Sequence, residues 1–339
     1  MLYYIISYGG KLAAARRSLA LCALLWAGAL GTGPAAAAPD VVASIKPLHA
    51  LVAGVMERVG APHLLIRGAG SPHGTTLRPS DARALAGAAL VFWIGPELET
   101  SLAAPLAALA APDRVVALSR APGIGLLARR AGGLWEAPDA GHDAGHAIDP
   151  AGDPAAWHPG FAAPDPHIWL DPANGTAMVR AIEAALSRAD PANAPRYRAN
   201  AAGVIAALEA LDAEIAAALA PVAGLPYVVF HDAYRYFEAR YGLNPVGALT
   251  VNPERSPGAR RVREIRGEIR ARSARCVFAE PQFRPALVAT LIEGTAARGG
   301  ILDPLGAELA PGPGAYAGLL RALAASLVDC LAPAPEAAP

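Results

Sequence analysis

Short apolar runs alternate with helix-period segments along most of the chain, and this alternation constrains the fold more than any other feature. Four runs in the first half have the length and β-branched content of buried strands, at 41–45, 63–67, 90–95 and 114–118. The segments between them carry apolar residues at helical spacing. Strands that alternate with helices form parallel sheets covered by helices. The chain is therefore predicted to be an α/β protein.

The same alternation restarts in the second half, after a long helical segment. Four further runs are predicted as strands, at 227–231, 245–249, 276–280 and 301–303. The helical segment covers 195–220, and its apolar stripe is formed by Val204, Leu208, Leu211, Ile215 and Leu219. Such a helix would be about 39 Å long, enough to bridge two domains. We therefore expect two βα lobes, each with a mainly parallel sheet, joined by one long helix.

These patterns divide the chain into four parts. We predict a cleaved segment over 1–38, an N-terminal lobe over 39–190, a linker helix over 191–221 and a C-terminal lobe over 222–339. Residues 129–166 interrupt the N-terminal lobe with a stretch rich in Gly, Pro, Asp and Ala that has no periodicity. We expect this stretch to be a long loop, and long loops inside compact domains are often functional.

The first 38 residues have the composition of an export signal. Arg16 and Arg17 precede an apolar run from Leu19 to Leu30, and small residues follow up to Ala38. This order predicts a secretory signal peptide cleaved near Ala38, because the apolar run is too short to span a bilayer. Cleavage would remove three basic residues and no acidic one, so the formal charge would change from 0 to −3. That charge does not favour binding to nucleic acid or to an anionic membrane.

Two cysteines, Cys276 and Cys330, follow the predicted signal peptide. An even pair in an exported chain favours a disulfide. Two buried free thiols are the alternative.

Three histidines and one aspartate occupy comparable positions in the pattern. His73 follows a predicted strand, His231 ends another, His167 begins the ordered segment after the loop, and Asp303 ends the last predicted strand. Side chains at the carboxyl ends of parallel strands line the crevice in which ligands bind. Three imidazoles and one carboxylate suit a tetrahedral cation, above all zinc. Each residue could instead be a hydrogen-bonded structural residue, since their spacing matches no short zinc motif.

Several long segments resemble one family. They are SIKPLH at 44–49, SPHGTTLRPSDARAL at 71–85, VFWIGPELE at 91–99, DPHIWLDP at 165–172, FHDAYRYFEARYGL at 230–243, and then CVFAEPQF and LDPLGAEL. In this order they resemble the ZnuA-like zinc-binding periplasmic proteins of high-affinity zinc ABC importers, which belong to the metal-binding cluster of solute-binding proteins. The resemblance covers nearly all of the chain after the signal peptide. It implies a metal site in the cleft between two βα lobes that one rigid helix joins.

The resemblance also implies a set of metal ligands. His73, His167 and His231 match the three histidine ligands of the family, and Asp303 matches a position that supplies a carboxylate in some members only. Other members have an acid just before the first histidine, where this sequence has Pro72. The manganese-binding relatives have a carboxylate at the position of His231, which favours zinc here.

Two further expectations follow from the resemblance. The stretch after residue 129 resembles the histidine-rich loop of the family, and a second, weaker zinc would bind there through His142, Asp143, His146 and His158. A loop that merely tolerates histidine is the alternative. The two cysteines match a disulfide in the C-terminal lobe of the family.

The implied function is the capture of Zn²⁺ in the periplasm and its delivery to an ABC permease and its ATPase. We expect a monomer that is not an enzyme and binds no nucleic acid. One alternative is a manganese-binding or adhesin-type member of the same family. Another is a secreted zinc hydrolase, since three histidines with an open fourth position also describe catalytic zinc. Against a hydrolase, the sequence has no HExxH motif and no Glu beside a candidate ligand histidine.

Overall fold

The predicted alternation of strands and helices is present in both halves of the chain. A computed structural model describes residues 38–130, 134–135, 147–148, 157–158, 163–250, 257–282 and 286–332. The first half contains β1 (Val41–Ala43), α1 (Lys46–Val55), β2 (His63–Leu64), α2 (Pro79–Gly87), β3 (Leu90–Trp93), α3 (Thr100–Leu109) and β4 (Val115–Ala117). Two short antiparallel strands and two long helices follow: β5 (Ala147–Ile148), β6 (Trp157–His158), α4 (Pro172–Ala189) and α5 (Ala194–Leu219). The second half contains β7 (Pro226–His231), α6 (Arg235–Tyr241), β8 (Asn244–Thr250), α7 (Ala259–Ala271), β9 (Cys276–Ala279), α8 (Ala286–Ile292), β10 (Arg298–Ile301) and α9 (Ala315–Leu331).

Each half contains a four-stranded parallel sheet, and the two sheets have the same topology. The orders are β2-β1-β3-β4 and, read from the corresponding edge, β8-β7-β9-β10. The predicted fold of two parallel α/β lobes is therefore confirmed. In each sheet the order reverses between the first and third strands, the point where α/β sheets open a crevice for ligands.

Strand β7 shows how the sheet directs its last side chain. Tyr227 and Val229 belong to the large core that continues through both halves, whereas Val228 and Phe230 belong to a smaller core with side chains of α7 and α8. Successive side chains on a strand point to opposite faces. His231 therefore lies on the face of Tyr227 and Val229, towards the helices that the two lobes share.

The long helix α5 packs against α1, α4 and α9. It has 26 residues, and four members of its predicted stripe are buried: Leu208, Leu211, Ile215 and Leu219. Gly54 on α1 allows the close approach of these helices, because a Cβ at that position would lie 2.9 Å from Val204 Cγ2. Helices α1 and α9 also contact each other directly. The two lobes therefore share a packed helical layer in addition to the connecting helix.

Lys46 and Trp169 make two of the polar contacts that cross between the lobes. Lys46 begins α1, and its Nζ donates to the carbonyl oxygens of Gly306 (2.5 Å) and Ala307 (2.6 Å). Trp169 Nε1 donates to the carbonyl oxygen of Pro304 (2.8 Å). Both groups come from the first lobe and hold the segment that follows β10. Hydrogen bonds from charged groups are among the strongest in proteins, so this segment is fixed against the first lobe.

The last strand differs from its prediction. The run 301–303 is predicted as a strand, whereas β10 already ends at Ile301. A Cβ on Gly300 would lie 2.5 Å from Phe278 Cε1 on the neighbouring strand, so this position accepts only glycine. Glycine inside a strand weakens the sequence signal for that strand. Asp303 consequently lies in the turn beyond β10 and not at its end.

The predicted disulfide is present. Cys276, at the start of β9, is bonded to Cys330, near the end of α9, with 54 residues of separation. The alternative of two free thiols is therefore wrong. In the chain-entropy model, closing a loop of this length stabilises the fold by about 4 kcal/mol.

A buried glutamate shapes the turn that leads from β3 to α3. Glu99 is fully buried, and its Oε2 accepts from the backbone N–H groups of Ile94 (2.8 Å) and Gly95 (3.2 Å). Burial raises the pKa of Glu99 to about 7. Two residues further on, Ser101 Oγ accepts from the N–H of Thr75 (3.2 Å). The Glu99 turn thus supports the segment that follows β2.

We expect the substitution Glu99→Gln to change how stability depends on pH. The folded pKa of about 7 lies above the ordinary glutamate value of 4.5, so the stability gained by protonation is complete below pH 4.5 and is lost as the pH rises through 7. Glutamine keeps an acceptor oxygen and carries no charge. Relative to the variant, the wild type should lose about 2 kcal/mol of unfolding free energy between pH 5 and pH 8.

Urea unfolding of both proteins at the two pH values measures this difference, because all other titrating groups are common to them. Parallel pH profiles for wild type and variant would show that Glu99 does not titrate in this range.

Candidate metal centre

Three histidines from distant parts of the chain converge. His73, His167 and His231 each offer a ring nitrogen, and these nitrogens all lie within 4.8 Å of one another. No other group of three or more metal-ligating side chains occurs in the part of the chain that the structure describes. A tetrahedral zinc with Zn–N distances of about 2.0–2.1 Å holds its nitrogens about 3.4 Å apart. Small ring movements would therefore close the cluster around one ion.

His73 is held by a short 3-10 turn in the segment after β2. Ser71 caps this turn, because its Oγ accepts from the N–H of His73 at 3.3 Å. The hydroxyl of Thr75 in turn donates to the carbonyl oxygen of Ser71 at 2.7 Å. Pro72 begins the turn, and its fixed φ suits the first position of a helix.

His167 is held by a carboxylate two residues before it. Asp165 Oδ1 accepts from the backbone N–H of His167 at 2.9 Å and lies 2.9 Å from its Nδ1. A carboxylate at Nδ1 places the proton on that nitrogen and leaves the Nε2 lone pair available. Nε2 is buried and has no hydrogen-bond partner among the described residues. Its geometry is that of a metal ligand.

His231 ends β7 and is only 2% exposed. Within the described structure, neither of its ring nitrogens has a partner in hydrogen-bond geometry. Glu280 Oε1 lies 3.3 Å from its Nδ1, within the distance of an ion pair. A buried polar atom without a partner destabilises a fold by about 1–3 kcal/mol. A bound cation would satisfy one of these nitrogens and so remove this penalty.

The surroundings favour the neutral form of two of the imidazoles. Burial, above all, lowers the pKa of His73 and of His167 well below the ordinary histidine value of 6.5, and repulsion from His231 and Arg129 lowers both further. A metal ion binds the neutral form of imidazole. The two rings are therefore ready to bind a cation at neutral pH without first losing a proton.

The three rings face a common pocket at the junction of the two lobes. Its lining residues are Ser71, Pro72, His73, His167, Trp169, His231, Glu280, Gln282, Pro304 and Leu305. Pro304 and Leu305 belong to the segment that Lys46 and Trp169 hold against the first lobe. One wall of the pocket is therefore fixed by contacts between the lobes.

A buried ion network lies directly behind His231. Arg130 donates from one guanidinium nitrogen to Asp232 Oδ1 and to Glu238 Oε2, both at 2.5 Å. The Tyr227 hydroxyl donates to Glu238 Oε1 at 3.0 Å, and the Arg130 guanidinium lies 3.7 Å from the ring centre of Trp135. Arg130 belongs to the first lobe and the two acids to the second, so this network is a third link between them.

Comparison with known proteins points to one protein family. The sequence matches the ZnuA family, described as the periplasmic component A of the zinc-uptake complex, over residues 41–330. It is 45% identical to the high-affinity zinc uptake system protein ZnuA of Brucella abortus (strain 2308), over 93% of this chain and 98% of the relative. The chain belongs to the ZnuA family.

Solved structures share the fold. A crystal structure of ZnuA has a TM-score of 0.69 at 24% identity, and the match covers 87% of this chain and all of that one. A Mn-bound periplasmic metal binding protein from Candidatus Liberibacter asiaticus has a TM-score of 0.67 at 18% identity, over 86% of this chain and 99% of that one. At these identities the likeness concerns the fold alone.

Asp303, the fourth ligand expected from the sequence, does not lie in the cluster. Its Oδ1 accepts from the N–H groups of Leu305 and Gly306, each at 3.0 Å, and its Oδ2 from the N–H of Ala307 at 2.5 Å. Gln282 Nε2 donates to the same Oδ1 at 3.2 Å. Aspartate before a proline commonly organises a turn in this way. In this structure the carboxylate holds the segment 303–307 together.

The expected loop site falls largely outside the described residues. His142, Asp143 and His146 all lie outside them. His158 belongs to β6 and pairs through its backbone with Ala147.

Sequence reasoning assigned no firm role to three buried charged residues near this site. Asp165 and Glu280 each lie beside an imidazole of the cluster, and Lys46 fixes the pocket wall. The signals were present: Asp165 precedes His167 by two residues, Glu280 follows a buried strand, and Lys46 stands alone among apolar residues. Buried charges need partners, so each of these residues indicated a polar contact. Only the fold shows which group is the partner.

We expect His231→Ala to weaken zinc binding by at least about 100-fold, because changes even to groups behind a metal ligand typically weaken binding by about 10–100-fold. His49→Ala is the matched control. His49 is also a buried histidine, but its Nε2 lies 3.1 Å from the carbonyl oxygen of Pro62 and takes no part in the cluster. Its substitution should leave zinc affinity unchanged.

Titration against a zinc-chelating dye measures both variants. Equal losses of affinity in the two would contradict the assignment of His231 as a ligand.

Proposed function

We propose that this protein captures Zn²⁺ in the periplasm and delivers it to the permease of a high-affinity ABC importer. The observation that carries the proposal is the cluster of three imidazoles at the junction of the lobes. Two of them, His167 and His231, are buried and carry three ring nitrogens that lack partners among the described residues. The ZnuA family consists of solute-binding proteins and not of enzymes. In the cluster we assign His73, His167 and His231 as the ligands.

Zinc is the cation that this ligand set suits best. Imidazole nitrogen is a good ligand for zinc, whereas manganese favours carboxylate and carbonyl oxygen. The three groups that converge here are all imidazoles. A manganese-binding member of the family is the second candidate, and a relative in fold is Mn-bound. His231 argues against it, because the nitrogen donor stands where manganese would need oxygen.

The proposal includes the compartment and the partners. The chain would be exported through the signal peptide over 1–38 and would act as a monomer that docks on a membrane permease with its ATPase. No helix in the described part of the chain is long and apolar enough to cross a membrane. The relatives are named as zinc uptake system proteins, which supports the assignment of an importer.

Metal content of the purified mature protein tests the proposal most directly. We expect one tightly bound zinc per chain, retained during dialysis against a large excess of manganese, because three nitrogen donors favour zinc. Elemental analysis after competition gives both the stoichiometry and the preference. Retention of manganese instead of zinc would support the second candidate, and retention of neither would refute metal capture.

We further propose that the loop binds a second, weaker zinc through His142, Asp143, His146 and His158. Deleting residues 136–160 should then leave the tight site intact, because its three ligands lie outside the deleted segment. Isothermal titration of the full chain and of the deletion variant separates the two sites. Loss of all zinc binding on deletion would mean that the loop holds the main site, and an unchanged isotherm would mean that the loop binds none.

A further inference from the structure

Two of the three clustered imidazoles have a buried carboxylate beside Nδ1. Asp165 Oδ1 lies 2.9 Å from His167 Nδ1, and Glu280 Oε1 lies 3.3 Å from His231 Nδ1. Both carboxylates are nearly inaccessible to solvent, at 3% and 4% exposure. A carboxylate at Nδ1 fixes the ring so that Nε2 faces the opposite direction. One imidazole from each lobe thus has a carboxylate beside Nδ1, in hydrogen-bond geometry for His167 and at ion-pair distance for His231.

The backbone alone brings His231 and Glu280 together. His231 is the last residue of β7, and Glu280 is the first residue after β9. These strands are neighbours in the sheet β10-β9-β7-β8, at the point where the order reverses. Side chains at this point enter the ligand crevice of an α/β sheet. Their proximity is therefore a property of the topology and not of one rotamer.

A tyrosine hydroxyl also helps to hold Glu280 in place. The hydroxyl of Tyr234 lies 3.1 Å from Glu280 Oε1 and 2.9 Å from the carbonyl oxygen of Leu302, and it can donate to either. Tyr234 follows His231 by only three residues. One short segment therefore carries both the ligand and the group that positions the carboxylate beside it.

Of the carboxylates of Asp165, Glu280 and Asp303, that of Glu280 is the one placed to offset the charge of a bound cation. Three neutral imidazoles would leave the double positive charge of a bound cation uncompensated in a buried pocket, which is strongly unfavourable. Asp303 is turned towards the backbone N–H groups of its own segment. Asp165 lies in the field of Arg129 and Arg130 and does not line the pocket, whereas Glu280 does.

We propose that Glu280 is a positioning residue for the cation site: it holds His231 through Nδ1, so that Nε2 faces the cation, and its negative charge offsets that of the cation without coordinating it. This inference rests on the proposed zinc function. It assigns the site a carboxylate that lies behind a ligand.

Glu280→Gln tests the charge and Glu280→Ala tests charge and contact together. Glutamine keeps the shape and an acceptor for Nδ1–H, so zinc affinity should fall by about 10–100-fold while one site per chain remains. Alanine should weaken binding further. Glu264→Gln is the matched control, because it removes the same charge from the exposed face of α7. It should bind zinc as the wild type does.

Two readouts separate positioning from a merely structural role. Ring-nitrogen NMR of the zinc-loaded wild type and Gln variant should show His231 bound through Nε2 and protonated at Nδ1, and the Ala variant should lose the protected Nδ1–H signal. X-ray absorption should give the same nitrogen coordination of zinc in the wild type and the Gln variant. If the Gln variant does not fold, Tyr234→Phe removes the donor to Glu280 and should weaken binding severalfold.

Three results would overturn the inference: wild-type affinity in Glu280→Gln, an oxygen ligand in the wild type that this substitution removes, or His231 bound through Nδ1. A wild-type protein that binds no zinc would instead refute the proposed function itself, whatever the variants do.

Discussion

Holding three imidazoles within 4.8 Å of one another, from three separate segments, requires the two lobes to keep a fixed register. His73 and His167 belong to the first lobe and His231 to the second. A displacement of one lobe by the width of a side chain would separate the nitrogens beyond the reach of one ion. The shared helical layer of α1, α5 and α9 provides this register through close packing, and packed interiors resist small deformations.

Polar contacts reinforce the register close to the pocket. Lys46 and Trp169 hold the segment after β10, and Arg130 joins the first lobe to two acids behind His231. Each link is buried or nearly so, and breaking one would leave a polar or charged group without its partner, at a cost of about 1–3 kcal/mol. A motion that opened the whole cleft would break all three links together. A change confined to the rings and the turn around His73 would break none of them.

Much of this architecture follows from the sequence, because strand and helix periods are local signals. Seven of the eight strands of the two sheets, the long helix and the three histidines at the carboxyl edge belong to this class. The position of Asp303 shows where a local pattern is insufficient, because the strand before it was predicted at the wrong residues. Its position near a strand end suggested a ligand, but Gly300 concealed the true strand, and the carboxylate instead organises its own turn. The Asp-Pro-Leu-Gly sequence favours a turn, and the segment forms a turn in the structure and not the end of a strand.

The contacts that the sequence does not reveal are polar contacts between residues far apart in the chain. The partner of Lys46 is a pair of carbonyl groups 260 or more residues away, and no local pattern identifies such a pair. The pairing of Glu280 with His231 similarly depends on β7 and β9 being neighbours, which follows from the strand order and not from either strand alone. Long-range polar contacts are set by topology, so they become visible only when the fold is known.

The placement of the carboxylates bears on which metal the pocket selects. Asp165 and Glu280 lie beside imidazoles, and Asp303 lies in a turn, so negative charge surrounds the cluster while nitrogen alone converges within it. Charge attracts any divalent cation equally, whereas the donor atoms distinguish between cations. Carboxylates that lie behind the imidazoles therefore keep the electrostatic attraction to a cation. They do not supply the oxygen donors that manganese would need. In such an arrangement affinity and selectivity come from different residues, and each can change without the other.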